Sequence, residues 1–151
     1  MEIPEATREL LLRRWPVARL ATLGPEGPQL VPIVFAWHEE RLWMPVDAKP
    51  KREGELARVR NVQRCAAVSL LLDHYDPDWT LLWWLRIDGE ARVVAPADVP
   101  GSAVVLDRLV AKYPQYHTVP LLTGSPSLVV VRPGRVVSWC ASAAAARRAR
   151  V

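Results

Sequence analysis

The segment from Val17 to Val46 constrains the fold most, because it alternates between apolar and polar residues and is broken twice by turns. Val17–Leu23 and Gln29–Trp37 have the period of strands, and so does Arg41–Val46. A turn rich in Gly and Pro separates the first two, and the polar residues His38–Glu40 separate the second from the third. Strands joined by such short turns pair antiparallel. The segment therefore predicts an antiparallel meander.

The rest of the chain predicts three more strand regions and three helices. The strand regions are Cys65–Leu72, Leu81–Ala95 with a bulge or bend at Gly89, and Ser127–Val131 with Val136–Cys140 as a closing strand or hairpin. The helices are Glu5–Arg14, about Arg52–Asn61 and Ser102–Tyr113. We expect a mainly β fold with α+β character, in which six mostly antiparallel strands close into a small barrel, since closure removes exposed edges.

Length and charge favour one domain that does not bind nucleic acid. The chain has 151 residues, half of them hydrophobic, which is enough for one core. We place this domain at 1–141 and assign 142–151 to a basic, mobile tail. The net charge is +4, and Arg147, Arg148 and Arg150 in that tail account for most of it. The start resembles no export signal and no apolar run reaches about 18 residues, so we expect a cytoplasmic protein without a membrane partner.

The sequence contains no recognisable metal site or catalytic triad. Cys65 and Cys140 stand far apart and have no metal or redox spacing, so buried free thiols are favoured over a disulfide. His74, Tyr75 and Asp76 allow two interpretations. They could act in acid–base chemistry, or they could start a turn before Pro77, and the turn is favoured. No catalytic residue is assigned.

A cluster of cations follows the third strand. Lys49, Lys51 and Arg52 surround Pro50, where the strand pattern ends and a helix pattern starts. Proline suits a first helical turn, and a helix start offers free amides and the positive end of its dipole to an anion. The cluster is either a phosphate site or a solvated basic loop.

Several of these segments resemble a known family in their order. Ala18–Thr22, Gly24–Gly27 and Pro28–Val34 resemble the opening hairpin of the pyridoxamine 5′-phosphate oxidase-like split β-barrels. Asp47–Arg52 and the stretch Leu72–Trp84, with its Asp-His-Tyr-Asp run and paired tryptophans, are similar to the branch of F420-dependent enzymes. The resemblance extends from about Trp15 to Trp139.

The resemblance implies a homodimer with a flat cofactor, either F420 or FMN, in a groove at each subunit boundary. In this family the backbone of the second strand lines the cofactor ring, so the side chains of that strand are expected to pack in the core. The loop after the third strand holds the phosphate. The implied cofactor-binding residues are Leu30, Val31, Pro32 and Ile33 for the ring and Val46, Lys49, Lys51 and Arg52 for the phosphate.

Trp83 and Trp84 point to opposite faces of a strand, so at most one of them faces the cofactor, and Trp84 is favoured over Trp83. Trp139 is the candidate for reaching a ring bound mainly by the other subunit. Packing in the core or at the interface is the alternative for Trp84 and Trp139.

The function that the resemblance implies is an oxidoreductase in which reduced F420 delivers hydride to a small, electron-poor substrate, with FMN as the alternative cofactor. Such chemistry takes place on the cofactor itself, so the protein need not supply a catalytic residue. Two other functions stay open: a carrier that binds F420, FMN or a tetrapyrrole without turnover, and an interaction module that has lost the pocket. The oxidases of the family bind their vitamin B6 substrate with basic and polar residues near the chain end, and Val137–Ala141 of this chain do not match those residues.

Overall fold

A computed structural model describes residues 1–46, 56–122 and 126–148. Within these residues, seven strands form one antiparallel sheet in the order β2-β1-β5-β6-β7-β4-β3. The strands are β1 (Ala18–Gly24), β2 (Gly27–Ile33), β3 (Ala36–His38), β4 (Arg41–Pro45), β5 (Ala67–His74), β6 (Trp83–Val94) and β7 (Leu128–Cys140). The described α-helices are α1 (Glu5–Arg14), α2 (Ala57–Arg64), α3 (Ser102–Lys112) and α4 (Ala143–Arg148). None of them is long and apolar enough to cross a bilayer.

The sheet curls so that its two edge strands approach each other at one point. β2 and β3 lie at opposite ends of the strand order, yet only Val34 and Phe35 separate them in the chain. Three Cα steps span at most about 11 Å, so the end of β2 lies close to the start of β3. The sheet is therefore barrel-like, and among the described residues no strand pairing joins β2 to β3.

The expected count of six strands was wrong because Gln29–Trp37 is not one strand. The backbone N–H of Phe35 donates to the Tyr113 hydroxyl at 3.0 Å, and that hydroxyl lies 3.0 Å from the carbonyl oxygen of Phe35. A side chain from the end of α3 thus satisfies the backbone where a strand partner would otherwise bind. The chain leaves one edge of the sheet here and joins the other edge as β3.

The structure confirms some of the other predictions and corrects one of them. Helix α1 has the predicted bounds, and β6 carries an irregularity between Asp88 and Gly89 opposite Pro133. The closing region is the single strand β7 rather than a hairpin. Helix α2 begins at Ala57, and Leu56 before it is extended, so a continuous helix from Arg52 to Asn61 was wrong. The predicted start at Arg52 itself lies outside the described residues.

Two hydrophobic clusters hold the elements together. Leu42 and Met44 of β4 point into the barrel, where they join the larger cluster. Trp43 points to the other side and packs with Val105 and Leu109 of α3. Both faces of β4 are therefore buried, which explains its nearly continuous apolar sequence.

The end of the described chain packs against the barrel. Ala145 and Ala146 of α4 are buried, and the Ser142 hydroxyl accepts from the Ala145 N–H at 3.1 Å and donates to the Thr80 carbonyl at 2.6 Å. This packing differs from the poor anchoring that the Ala-rich sequence indicated. The division of the chain at residue 141 itself stays a prediction.

Candidate functional site

Strand β2 presents an open edge. Among the described strands it pairs only with β1, and Leu30 on it is 64% exposed. Pro28 and Pro32 flank Leu30 at alternate positions, and prolines in an edge strand occupy positions whose N–H side faces away from the neighbouring strand. We therefore expect the backbone of residues 28, 30 and 32 to face outward. In that orientation the N–H of Leu30 and the carbonyls of Pro28, Leu30 and Pro32 all point away from β1.

The side chains of the predicted ring-binding residues divide between two faces. Ile33 is buried and Val31 packs against the barrel core, as the sequence predicted for all four. Leu30 and Pro32 point to the outer face and are exposed, so for these two the expectation of core packing was wrong. The division follows from the period of two along a strand. β2 thus has backbone groups along its open edge and apolar side chains on the adjoining outer face.

A buried asparagine fixes β2 against α2. The Asn61 amide donates to the Thr22 hydroxyl at 2.9 Å and to the Gln29 side-chain oxygen at 2.8 Å. Arg64 donates to the Leu23 carbonyl at 3.0 Å and to the Asn61 side-chain oxygen at 3.3 Å. These bonds tie the hairpin of β1 and β2 to α2. Sequence reasoning missed Asn61, although a polar residue among the apolar positions Val59 and Val62 was a usable signal.

The predicted phosphate site is described only at its first residue. Val46 is half-buried, and its N–H donates to the Ser127 carbonyl at 3.0 Å, which fixes the end of β4 to the start of β7. Lys49, Lys51 and Arg52 lie outside the described residues. Their role in binding phosphate stays a prediction.

Trp84 and Trp139 are neighbours on the outer face of the barrel. They are directly opposite each other in the register of β6 and β7. Trp84 is half-buried and Trp139 is 39% exposed. Trp83 points inward, where its ring centroid lies 4.7 Å from that of Trp15. Of the two adjacent tryptophans, Trp84 is therefore the one that a ligand outside the barrel could reach.

Within one protomer these tryptophans are not beside β2. Strands β2 and β6 are three strand spacings apart, which amounts to about 14 Å. The two parts of the predicted ring site thus lie on separate regions of the same surface.

The segment after β5 forms a local turn. The Asp76 carboxylate accepts from the Asp78 N–H at 2.9 Å and contacts His74 at 3.3 Å. The Asp78 carboxylate accepts hydrogen bonds from the hydroxyl and from the backbone N–H of Thr80. The bond from the hydroxyl has the larger effect and the bond from the N–H the smaller one, and both lower the pKa of Asp78. The carboxylates are thus engaged by the backbone, as in turns that Asp residues initiate.

The described residues contain no group of three or more His, Cys, Asp or Glu side chains that could hold a metal ion. Cys65 and Cys140 are free thiols, and burial raises the pKa of Cys140.

Comparison with known proteins identifies the family. The family model described as pyridoxamine 5′-phosphate oxidase matches residues 3–140. The chain belongs to this family. None of the curated proteins matches the chain.

Solved structures with the same fold include proteins of different kinds. A conserved hypothetical protein, Rv2991 from Mycobacterium tuberculosis, has 23% identity and a TM-score of 0.71, with 91% of this chain and 85% of that one covered. HutZ, the heme storage protein from Vibrio cholerae, has 15% identity and a TM-score of 0.68, with 93% and 95% covered. An F420 reductase has 28% identity and a TM-score of 0.59, with 89% and 98% covered.

Proposed function

We propose that this family member is an oxidoreductase that uses coenzyme F420 to reduce a small, electron-poor substrate. The observation that carries the proposal is the open edge of β2, whose outward backbone groups are held in place through Asn61. A flat heterocycle with alternating donors and acceptors on its edge fits such a strand. Family membership and the 28% identity to an F420 reductase support the choice of cofactor class.

The residues of this chain would share the work of binding. The backbone of Leu30 to Ile33 would meet the polar edge of the ring, and Val46, Lys49, Lys51 and Arg52 would surround the phosphate. When bound in its reduced form, F420 would supply a hydride to the substrate. FMN at the same strand is the alternative within the oxidoreductase class.

We also propose a homodimer, in which Trp139 reaches the ring held by the partner. The outward-facing side chains of β1, β5 and β6 are all exposed or half-buried in one protomer, so this face is available for association. Pairing of two such faces would bring Trp84 and Trp139 of one protomer toward β2 of the other.

A carrier without turnover is the second candidate. The similarity in fold to a heme storage protein supports it.

The first test is binding of F420 by fluorescence titration. The double variant Lys49→Ala, Lys51→Ala is expected to weaken binding at least tenfold, since each lysine loses a charged contact with phosphate. The variant Arg147→Ala, Arg150→Ala removes the same charge from the chain end and serves as the control. Equal affinity of wild type and the lysine variant would refute the phosphate assignment. Bound flavin absorbance after purification would identify FMN instead.

The second test is turnover. Reduced F420 is mixed with the protein and with quinones, enones or biliverdin, and its oxidation is followed optically. Oxidation that depends on both protein and substrate supports the enzyme. Tight binding of F420 or a tetrapyrrole with no turnover of any substrate would favour the carrier.

A further inference from the structure

A second concave site lies between α1, β3 and α3. It is a cavity of about 430 Å³ lined by Arg13, Arg14, Ala36, Trp37, Arg108, Ala111 and Lys112. Four of these seven residues are cations, and none of the seven is a carboxylate. None of them belongs to the proposed cofactor site.

Two of the cations are fixed to β3 and the residue before it. Arg108 donates to the Trp37 carbonyl at 2.9 Å, and Lys112 Nζ donates to the Phe35 carbonyl at 3.1 Å. The Lys112 ammonium also lies 3.6 Å from the centroid of the Phe35 ring, a cation–π geometry. These bonds hold the guanidinium group of Arg108 and the ammonium group of Lys112 in place at the cavity.

With Lys112 protonated, the lining carries more positive charge than Glu9 and the helix ends offset. Glu9 pairs with Arg13 at 3.5 Å on the surface. Both helices end at the cavity, and each helix end carries the equivalent of about half a negative charge. Together these offset about two of the four positive charges. The carboxylates Glu39 and Glu40 line a neighbouring cavity that shares Trp37, and Arg8, Arg41 and Arg132 line that cavity with them.

The protonation of Lys112 should depend on whether an anion occupies the cavity. Burial lowers the pKa of Lys112 to about 7. The charged or titratable groups around it are Arg13 and Arg14 from α1, Arg108 from its own helix and the Tyr113 ring, whose centroid is 5.4 Å away. An anion beside Nζ would favour the protonated lysine and relieve the repulsion among the cations.

Apolar surface completes the cavity. Ala36, Trp37 and Ala111 line it, and the indole of Trp37 is half-buried. A ligand with an aromatic body and a single acidic group would cover this surface and meet the cations.

We propose that the cavity between α1, β3 and α3 binds a small aromatic carboxylate, a function separate from the redox site on β2. Arg13, Arg14, Arg108 and Lys112 bind the carboxylate, and Trp37 and Ala111 contact the ring.

Two isosteric probes test this proposal. Binding of 1-naphthoate and of neutral 1-naphthalenemethanol is measured by calorimetry, and the site is located by shifts of backbone amide resonances. The carboxylate is expected to bind at least tenfold more tightly and to shift the amides of Trp37 and Ala111. Equal affinities, or shifts confined to β2 and α2, would overturn the proposal.

Variants separate the site from general charge effects. Lys112→Met keeps the apolar stem and should weaken 1-naphthoate binding at least threefold, and Arg14→Gln on the exposed end of α1 should do the same. Arg147→Gln removes one charge from α4 and should change nothing. An equal loss in Arg147→Gln would refute the site.

The pH dependence is a further readout. Wild-type affinity for 1-naphthoate should fall as pH rises from 7 to 9, because Lys112 loses its proton. Lys112→Met should lack this fall. If Lys112→Met does not fold, then Arg14→Gln and the wild-type probe pair still decide the question.

Discussion

Asn61 is the residue on which the geometry of the β2 edge depends. We expect Asn61→Ala to lower the free energy of unfolding by about 1–3 kcal/mol, because Thr22 is a buried residue, 3% exposed, and its hydroxyl would lose its partner. Urea unfolding measures the change. Gln63→Ala, at an exposed position of the same helix, is the control and should cost less than about 0.5 kcal/mol. A loss no larger than that of the control would show that the bond to Thr22 does not stabilise the fold.

Lys112 is the residue that gives stability an unusual pH dependence. Burial lowers its pKa from the usual 10.5 to about 7, so the unfolded chain binds more protons than the folded one between these values. Stability should therefore rise with pH across the window from about 7 to 10.5 relative to Lys112→Met. Urea midpoints of the two proteins at pH 6, 7, 8 and 9 test this. Parallel profiles would mean that Lys112 is not desolvated.

Among the elements, the pair of β6 and β7 depends on Gly89. A Cβ atom there would lie 2.3 Å from the Arg132 carbonyl oxygen, which belongs to the backbone and cannot move away alone. Gly89→Ala should destabilise the protein by roughly 2 kcal/mol or more, or prevent folding, since overpacking forces backbone shifts. Thermal unfolding and soluble yield report the effect.

Gly134 provides the matched control on the facing strand. A Cβ atom at Gly134 would meet only the Asp88 carbonyl oxygen, at 3.5 Å, which is ordinary contact. We expect Gly134→Ala to be close to wild type. If both variants lost the same stability, the close approach of the Arg132 carbonyl would not be what requires glycine at position 89.

At the scale of the whole molecule, association of protomers decides whether the proposed redox site is complete. Leu71 lies on the outer face of the sheet, opposite Arg19 on one side and Arg86 on the other. We expect Leu71→Arg to shift a dimer toward monomers, since it places a third cation beside Arg19 and Arg86 at the centre of the proposed interface. Sedimentation velocity measures the distribution. Val104→Arg, on an exposed position of α3, is the control and should stay dimeric.

A wild-type protein that sediments as a monomer at every concentration would refute the dimer. It would also leave Trp139 without a role at the cofactor, because Trp139 is on a strand distant from β2 within one chain.

The sequence by itself determined the elements and the family. Period-two alternation from Val17 to Val46 predicted β1, β2 and β4, and α1 was predicted with its observed bounds, because local propensity and turn residues decide such features. The motifs from Trp15 to Trp139 identified the family that the comparison confirmed. The basic cluster at Lys49, Lys51 and Arg52 was also visible in the sequence, and its role remains a prediction.

Only the tertiary structure decided how these elements combine. The break at Val34–Phe35 depends on Tyr113, which is 78 residues away in sequence from the Phe35 backbone that it binds. The bonds of Asn61 and the meeting of Arg13, Arg14, Arg108 and Lys112 at one cavity are likewise contacts between distant segments. Periodicity describes each segment in isolation, whereas these features arise from which segments pack together, and the closure of the barrel sets that packing.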